Sequence, residues 1–84
     1  MNSEKIGDFI KKIRIDKNMT QDDLAKKINV TNKAVSRWER GIGFPDISLL
    51  VPLSNELDVS VLELLNGEYS EKKRIKEKVM ILQF

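Results

Sequence analysis

Residues 20–41 read TQDDLAKKINVTNKAVSRWERG, and the way this stretch divides into helices and turns decides the fold. Thr20 stands before Gln21, Asp22 and Asp23, an N-cap followed by acidic residues at the positive end of a helix dipole. Leu24, Ala25 and Ile28 supply the short apolar stripe of that helix. Asn29 follows where the chain must turn sharply, and Asn is among the few non-glycine residues that tolerate left-handed backbone angles. Thr31 then caps a second helix that runs through Trp38 to Arg40 and is closed by Gly41. Two helices joined by a turn of three or four residues are a weak signal alone, because many helical hairpins have them.

The faces of the second helix say more. At about 100° per residue, Asn32, Lys33, Ser36, Arg37 and Arg40 share an arc of roughly 140°, while Ala34, Val35 and Trp38 fill the opposite side. That spacing puts Trp38 in the core rather than against a base. A solvated face would look similar on many amphipathic helices. What favours a binding face is the residue type: Asn, Lys and Arg carry the donor patterns that read base edges, and no acid interrupts the arc.

Working outward, Ile6, Phe9, Ile10 and Ile13 recur at i, i+3, i+4 and i+7 and predict a first helix from near Ser3 to about Lys17 or Asn18. Gly41, Gly43 and Pro45 mark GIGFP as a loop. Asp46 is expected to cap a fourth helix with Ile47, Leu50, Leu53 and Leu57 as its apolar stripe and Leu49 beside it. Pro52, inside that helix, predicts a bend or a 3₁₀ start. Ser60 and Glu63 form a capping box for a fifth helix, which Asn66 and Gly67 end. Five short helices without an alternating strand pattern predict an all-α domain over residues 1–69.

The remaining segment, residues 70–84, reads SEKKRIKEKVMILQF. Ile75, Val79 and Leu82 are helically spaced, whereas VMIL alone would equally suit a strand. Three readings stay open: a loosely ordered terminus, an extra helix docked on the domain, or a dimerisation segment.

Composition narrows the function class. With 84 residues the chain is long enough for one modest core. There is no cysteine and no histidine, which excludes disulfides and thiolate metal sites and removes the commonest general base. No cofactor or metal is expected. Glu63 belongs to a helix cap, and Glu56 and Asp58, two apart, do not meet across a cleft, so no enzyme is expected either. The start, MNSEKIGDF, is charged where a signal peptide needs an apolar run, and no stretch approaches the roughly 20 apolar residues that cross a bilayer. A cytoplasmic protein with no membrane contact is the expectation.

The formal net charge of +2 hides an uneven distribution: residues 1–40 carry +4, residues 41–70 carry −5 and residues 71–84 carry +3. A basic half beside an acidic half suits a protein that turns one face toward a polyanion. Charge alone leaves nucleic acid and other anionic partners equally open.

Taken together, Thr20-Gln21, Leu24-Ala25, Val30-Thr31, SRWERG at 36–41, Pro45 and the DVS..ELL ending resemble the DNA-binding domain of the Cro/cI-repressor (Xre-type) helix-turn-helix family. The resemblance covers roughly residues 6–67. It implies a five-helix, lambda-repressor-like domain whose third helix lies in the major groove of double-stranded DNA. It also implies a transcriptional regulator of the repressor kind that binds a palindromic operator as a homodimer.

Carried over by position, the resemblance makes Gln21 a phosphate contact that orients the next helix, and Thr31 a cap that also touches phosphate. Asn32, Lys33 and Arg37 become base-reading positions with Ser36 between them, Arg40 becomes a backbone contact, and Arg14 and Glu39 become a partly buried ion pair. Asn29 departs from the family's usual glycine and should leave the turn intact at small cost. Lys33 and Arg37 fall where the family varies, so no member's operator can be copied; guanine-containing half-sites are the expectation from arginine's donor geometry. Leu64, Leu65, Val79 and Leu82 are candidate dimer contacts. The competing reading is a protein-interaction module, such as an antitoxin or a regulator that binds a partner protein through the same fold.

Overall fold

A computed structural model describes residues 2–71. Helix α1 spans Ser3–Asp16, α2 Gln21–Lys27, α3 Asn32–Glu39, α4 Leu50–Leu57 and α5 Val61–Asn66, with a 3₁₀ turn at Ile47–Leu49 before α4. There is no strand among the described residues. Ile75, Val79 and Leu82, together with the question of an extra helix in the tail, lie outside the described residues.

The caps expected at Thr20, Thr31 and Ser60 form. Thr20 accepts from the Asp23 amide while Asp23 accepts back from the Thr20 amide, so two otherwise orphaned donors are satisfied reciprocally. Ser60 and Glu63 repeat the arrangement at α5, and Glu63 also accepts from the Ser70 amide at 2.8 Å. Asn2 caps α1.

The core is one cluster drawn from all five helices. Ile6, Phe9, Ile10 and Ile13 of α1 pack with Leu24, Ala25, Val35, Trp38, Leu53, Leu57 and Leu64, joined by Ile28 at the end of α2. Phe9 meets Tyr69 edge-to-face, with ring centroids 5.1 Å apart, which ties the chain after α5 back onto α1. Gly7 makes the α1–α3 approach possible: a Cβ there would lie 2.0 Å from the Trp38 carbonyl oxygen. Only a residue without a side chain lets these two backbones come so close.

Two expectations need correction. The 3₁₀ start expected from Pro52 is present, but it is this turn that Asp46 caps, accepting from the Ser48 amide at 3.1 Å, and α4 itself begins only at Leu50. Pro52 has no N–H for the Ser48 carbonyl, so the α-helical ladder starts only where proline sits harmlessly in its first turn. Ile47 consequently leaves the predicted stripe and is 82% exposed. Leu64, a candidate dimer contact, is 1% exposed and belongs to the core, because α5 packs that side against α1. Leu65 is half-buried, and Leu62 is the exposed leucine of that helix.

Candidate nucleic-acid interface

The turn between α2 and α3 is made by Asn29, whose φ of 60° is left-handed. The Val30 amide donates to the Ala25 carbonyl at 2.9 Å and closes the end of α2. Thr31 then accepts from the Ala34 amide at 3.2 Å, so α3 starts at a defined residue in a defined direction. Val35 and Trp38 carry that direction into the core, at 0% and 6% exposure. Trp38 is thus an anchor that sets the height of α3 above α1 and α2.

The opposite side of α3 is polar. Thr31, Asn32, Lys33, Arg37 and Arg40 are exposed, while Ser36 is half-buried between them. Arg40 lays its Nε against the Ser36 carbonyl at 3.3 Å, which steadies it at the end of the helix. Arg37 lines a surface depression with Ala34, Trp38, Gly43 and Phe44. Gln21 sits half-buried at the start of α2.

The one carboxylate of α3, on Glu39, is withdrawn from this surface. Its side chain is 3% exposed, and Arg14 donates to it twice, Nε to Oε2 at 2.7 Å and Nη2 to Oε1 at 2.9 Å. Arg14 also donates from Nη1 to the Met19 carbonyl at 2.7 Å. The hydrogen bond to Glu39 holds the Arg14 pKa above its usual value, with the Coulomb attraction of Glu39 adding to it against the opposing effect of burial. A neutralised, buried acid does not repel a phosphate backbone.

Three features escaped the sequence reading. The contact of Gln21 Nε2 with Glu39 Oε1 at 3.1 Å joins the start of α2 to the buried pair, and the Met19 carbonyl completes the coordination of Arg14. Neither leaves a trace in residue type. Gly7 did: an isolated glycine inside a helical pattern is the available sign of a close backbone approach.

A family model described as Helix-turn-helix (HTH_3) matches residues 10–64. The chain belongs to the helix-turn-helix family. It is 39% identical over 64 residues to the HTH-type transcriptional activator BcrR of Enterococcus faecalis, covering 76% of this chain and 31% of that protein. It is 43% identical over 63 residues to YqaE, an uncharacterized HTH-type transcriptional regulator of Bacillus subtilis (strain 168), covering 75% of this chain and 54% of that one. The chain therefore spans about a third and about half the length of these two regulators.

Among solved structures, the DNA-binding domain of the P22 C2 repressor in solution superposes with a TM-score of 0.72 at 35% identity, over 84% of this chain and 93% of that one. The fold, all-helical among the described residues, is that of the helix-turn-helix regulators. No helix among the described residues is long and apolar enough to cross a membrane.

Proposed function

We propose that this helix-turn-helix domain binds operator DNA sequence-specifically as a homodimer, inserting α3 into the major groove, and that it serves in the cytoplasm as a transcriptional regulator of the repressor kind. The observation that carries the reading is the exposed, acid-free arc of Asn32, Lys33, Arg37 and Arg40 on a helix held rigid by Trp38 and by the Arg14–Glu39 pair. Asn32, Lys33 and Arg37 read base edges, and Ser36 lies between them at the helix surface. Gln21, Thr31 and Arg40 hold the phosphate backbone.

The homodimer follows from length. An eight-residue helix is about 12 Å long and reaches only a few base pairs, so a second copy, its reading helix about 34 Å away, doubles the recognised sequence. An apolar groove of about 250 Å³, lined by Ile6, Phe44, Pro45, Ile47, Leu50, Leu64 and Leu65, supports the α4–α5 side as the meeting surface. Leu65 and the exposed Ile47 and Leu62 replace Leu64 as the contacts.

Selection of bound sequences from a random duplex pool tests the whole reading. The expected product is a palindrome with half-sites about one helical turn apart, bound roughly 10³-fold more weakly at 200 mM than at 50 mM salt. Absence of binding to every duplex at low salt would instead favour a module that recognises a protein partner.

A further inference from the structure

The hydrogen bonds of Glu39 connect the buried ion pair to the one proposed DNA contact that lies on α2. Oε2 accepts from Arg14, and Oε1 accepts from both Arg14 and Gln21. A carboxylate is an acceptor only, so it obliges the Gln21 carboxamide to present its nitrogen rather than its oxygen. One of the two amide protons is then committed, and the other points elsewhere together with the carbonyl oxygen.

The pair itself gains little from this third bond. Glu39 already holds two charged hydrogen bonds from Arg14, and Arg14 has the Met19 carbonyl besides. The beneficiary is Gln21, since glutamine is among the side chains that lose most rotamer freedom when they are ordered. Because Arg14 lies in α1, Gln21 in α2 and Glu39 in α3, a single carboxylate relates the three helices and places the carboxamide at a fixed height beside the α3 surface.

We propose that Glu39 is a positioning residue for DNA binding: by holding one amide proton of Gln21 it orders that side chain in advance, so that the second proton meets a backbone phosphate oxygen of the duplex. The inference rests on the DNA-binding reading above. Pre-ordering of this kind raises affinity by removing a cost of association rather than by adding a contact.

A random-sequence duplex at about 50 mM salt is the probe, because a phosphate contact is independent of sequence. Gln21→Ala should weaken binding about tenfold, the effect of one hydrogen bond to a charged acceptor. The double variant Arg14→Met/Glu39→Met exchanges the buried pair for apolar side chains and keeps the fold. It should lose a similar factor although Gln21 is intact, and adding Gln21→Ala to it should cost less than about twofold.

An equal tenfold loss from Gln21→Ala in both backgrounds, or unchanged binding by the double variant, would overturn the positioning role while leaving the DNA-binding reading in place. Failure of the unaltered protein to bind any duplex would remove that reading itself. The amide NMR spectrum of the unaltered protein gives an answer that needs no variant. One Gln21 carboxamide proton shifted downfield and slow to exchange supports the proposal, and two protons behaving as in free glutamine overturn it.

Discussion

Residues 20–41 and residues 42–65 treat their apolar side chains differently. In the first region Leu24, Ile28, Val35 and Trp38 are buried and Val30 is half-buried against the core. In the second, Ile42, Phe44, Ile47, Val51 and Leu62 are exposed, five of the six exposed large hydrophobics among the described residues. Charge divides the same way, since residues 41–70 carry five acids and no base. The first region turns its large apolar side chains inward and leaves its lysines and arginines, with Asp22 and Asp23, outside. A surface that leaves Ile47 at 82% and Leu62 at 67% exposure suits contact with another apolar surface.

That contrast breaks most visibly at Trp38 and Ile47. A domain of about 70 residues, at about 0.05–0.15 kcal/mol per residue, holds roughly 3.5–10 kcal/mol of stability. Trp38→Ala removes a buried indole and should cost about 3–5 kcal/mol, enough to lose most of the cooperative transition by circular dichroism. Ile47→Lys, at an equally apolar but exposed position, should leave the stability of the monomer within about 0.5 kcal/mol of the original, its cost falling instead on the proposed dimer. A fully folded Trp38→Ala variant that no longer binds DNA would mean the tryptophan faces the ligand, and the division between the two regions would fall.

Gly7→Ala comes next. Alanine in place of glycine within a helix ordinarily stabilises by about 1 kcal/mol, yet here the new methyl would lie 2.0 Å from the Trp38 carbonyl oxygen, a backbone atom that cannot rotate aside. Moving α1 off α3 costs about 1–3 kcal/mol, so the steric effect wins and the melting temperature should fall. A rise would show that the two helices part without strain.

Much of the first region was legible because each of its residues reports on one thing. Thr20 and Thr31 cap, Asn29 turns, and the spacing of Ala34, Val35 and Trp38 tells inside from outside; all of these act within four residues of themselves. In the second region local signals compete, and although Pro52 announced the 3₁₀ start, the burial of Ile47 did not follow. Asp46 signals a helix start and Pro52 forbids it, and the outcome, a 3₁₀ turn followed by α4, displaces Ile47 from a stripe that periodicity alone would have kept. Leu64 and Leu62 are two residues apart on one short helix, and only the packing of α5 on α1 decides which is covered. The bond from Gln21 to Glu39 spans 18 positions and depends on three helices meeting, so no local pattern announces it. The Arg14–Glu39 pair was expected through family resemblance, not through spacing.

Arg37 sharpens the binding side of the comparison. Arg37→Ala should cost about 1–3 kcal/mol of DNA affinity, with little change in stability because the side chain is exposed. Comparing the sequences selected by the two proteins distinguishes its role. Relaxed preference at one half-site position identifies a base contact, whereas uniform weakening with a smaller salt slope identifies a phosphate contact.

Acid titration gives the smallest effect, and it reaches both regions through a pair of exposed caps. Asp23 has a lowered pKa chiefly because the Thr20 amide donates to its carboxylate, and Asp46 chiefly because Ser48 donates to it through its hydroxyl and amide. For both groups the folded pKa lies below the unfolded one, so their contribution is complete above the ordinary carboxylate range and is lost as pH falls through the folded value. Asp23→Asn keeps a side-chain oxygen that can accept from the Thr20 amide but abolishes the titration. Its unfolding midpoint should therefore decline less steeply with acid than that of the original protein, and Asp46→Asn should do the same in the second region. Because Asp23 is part of the cap that begins α2, Asp23→Asn should lessen the loss of DNA affinity with acid, whereas Asp46→Asn should leave that loss as in the original protein. Equal effects of the two substitutions on DNA binding would show that the cap of α2 transmits nothing to the reading helix.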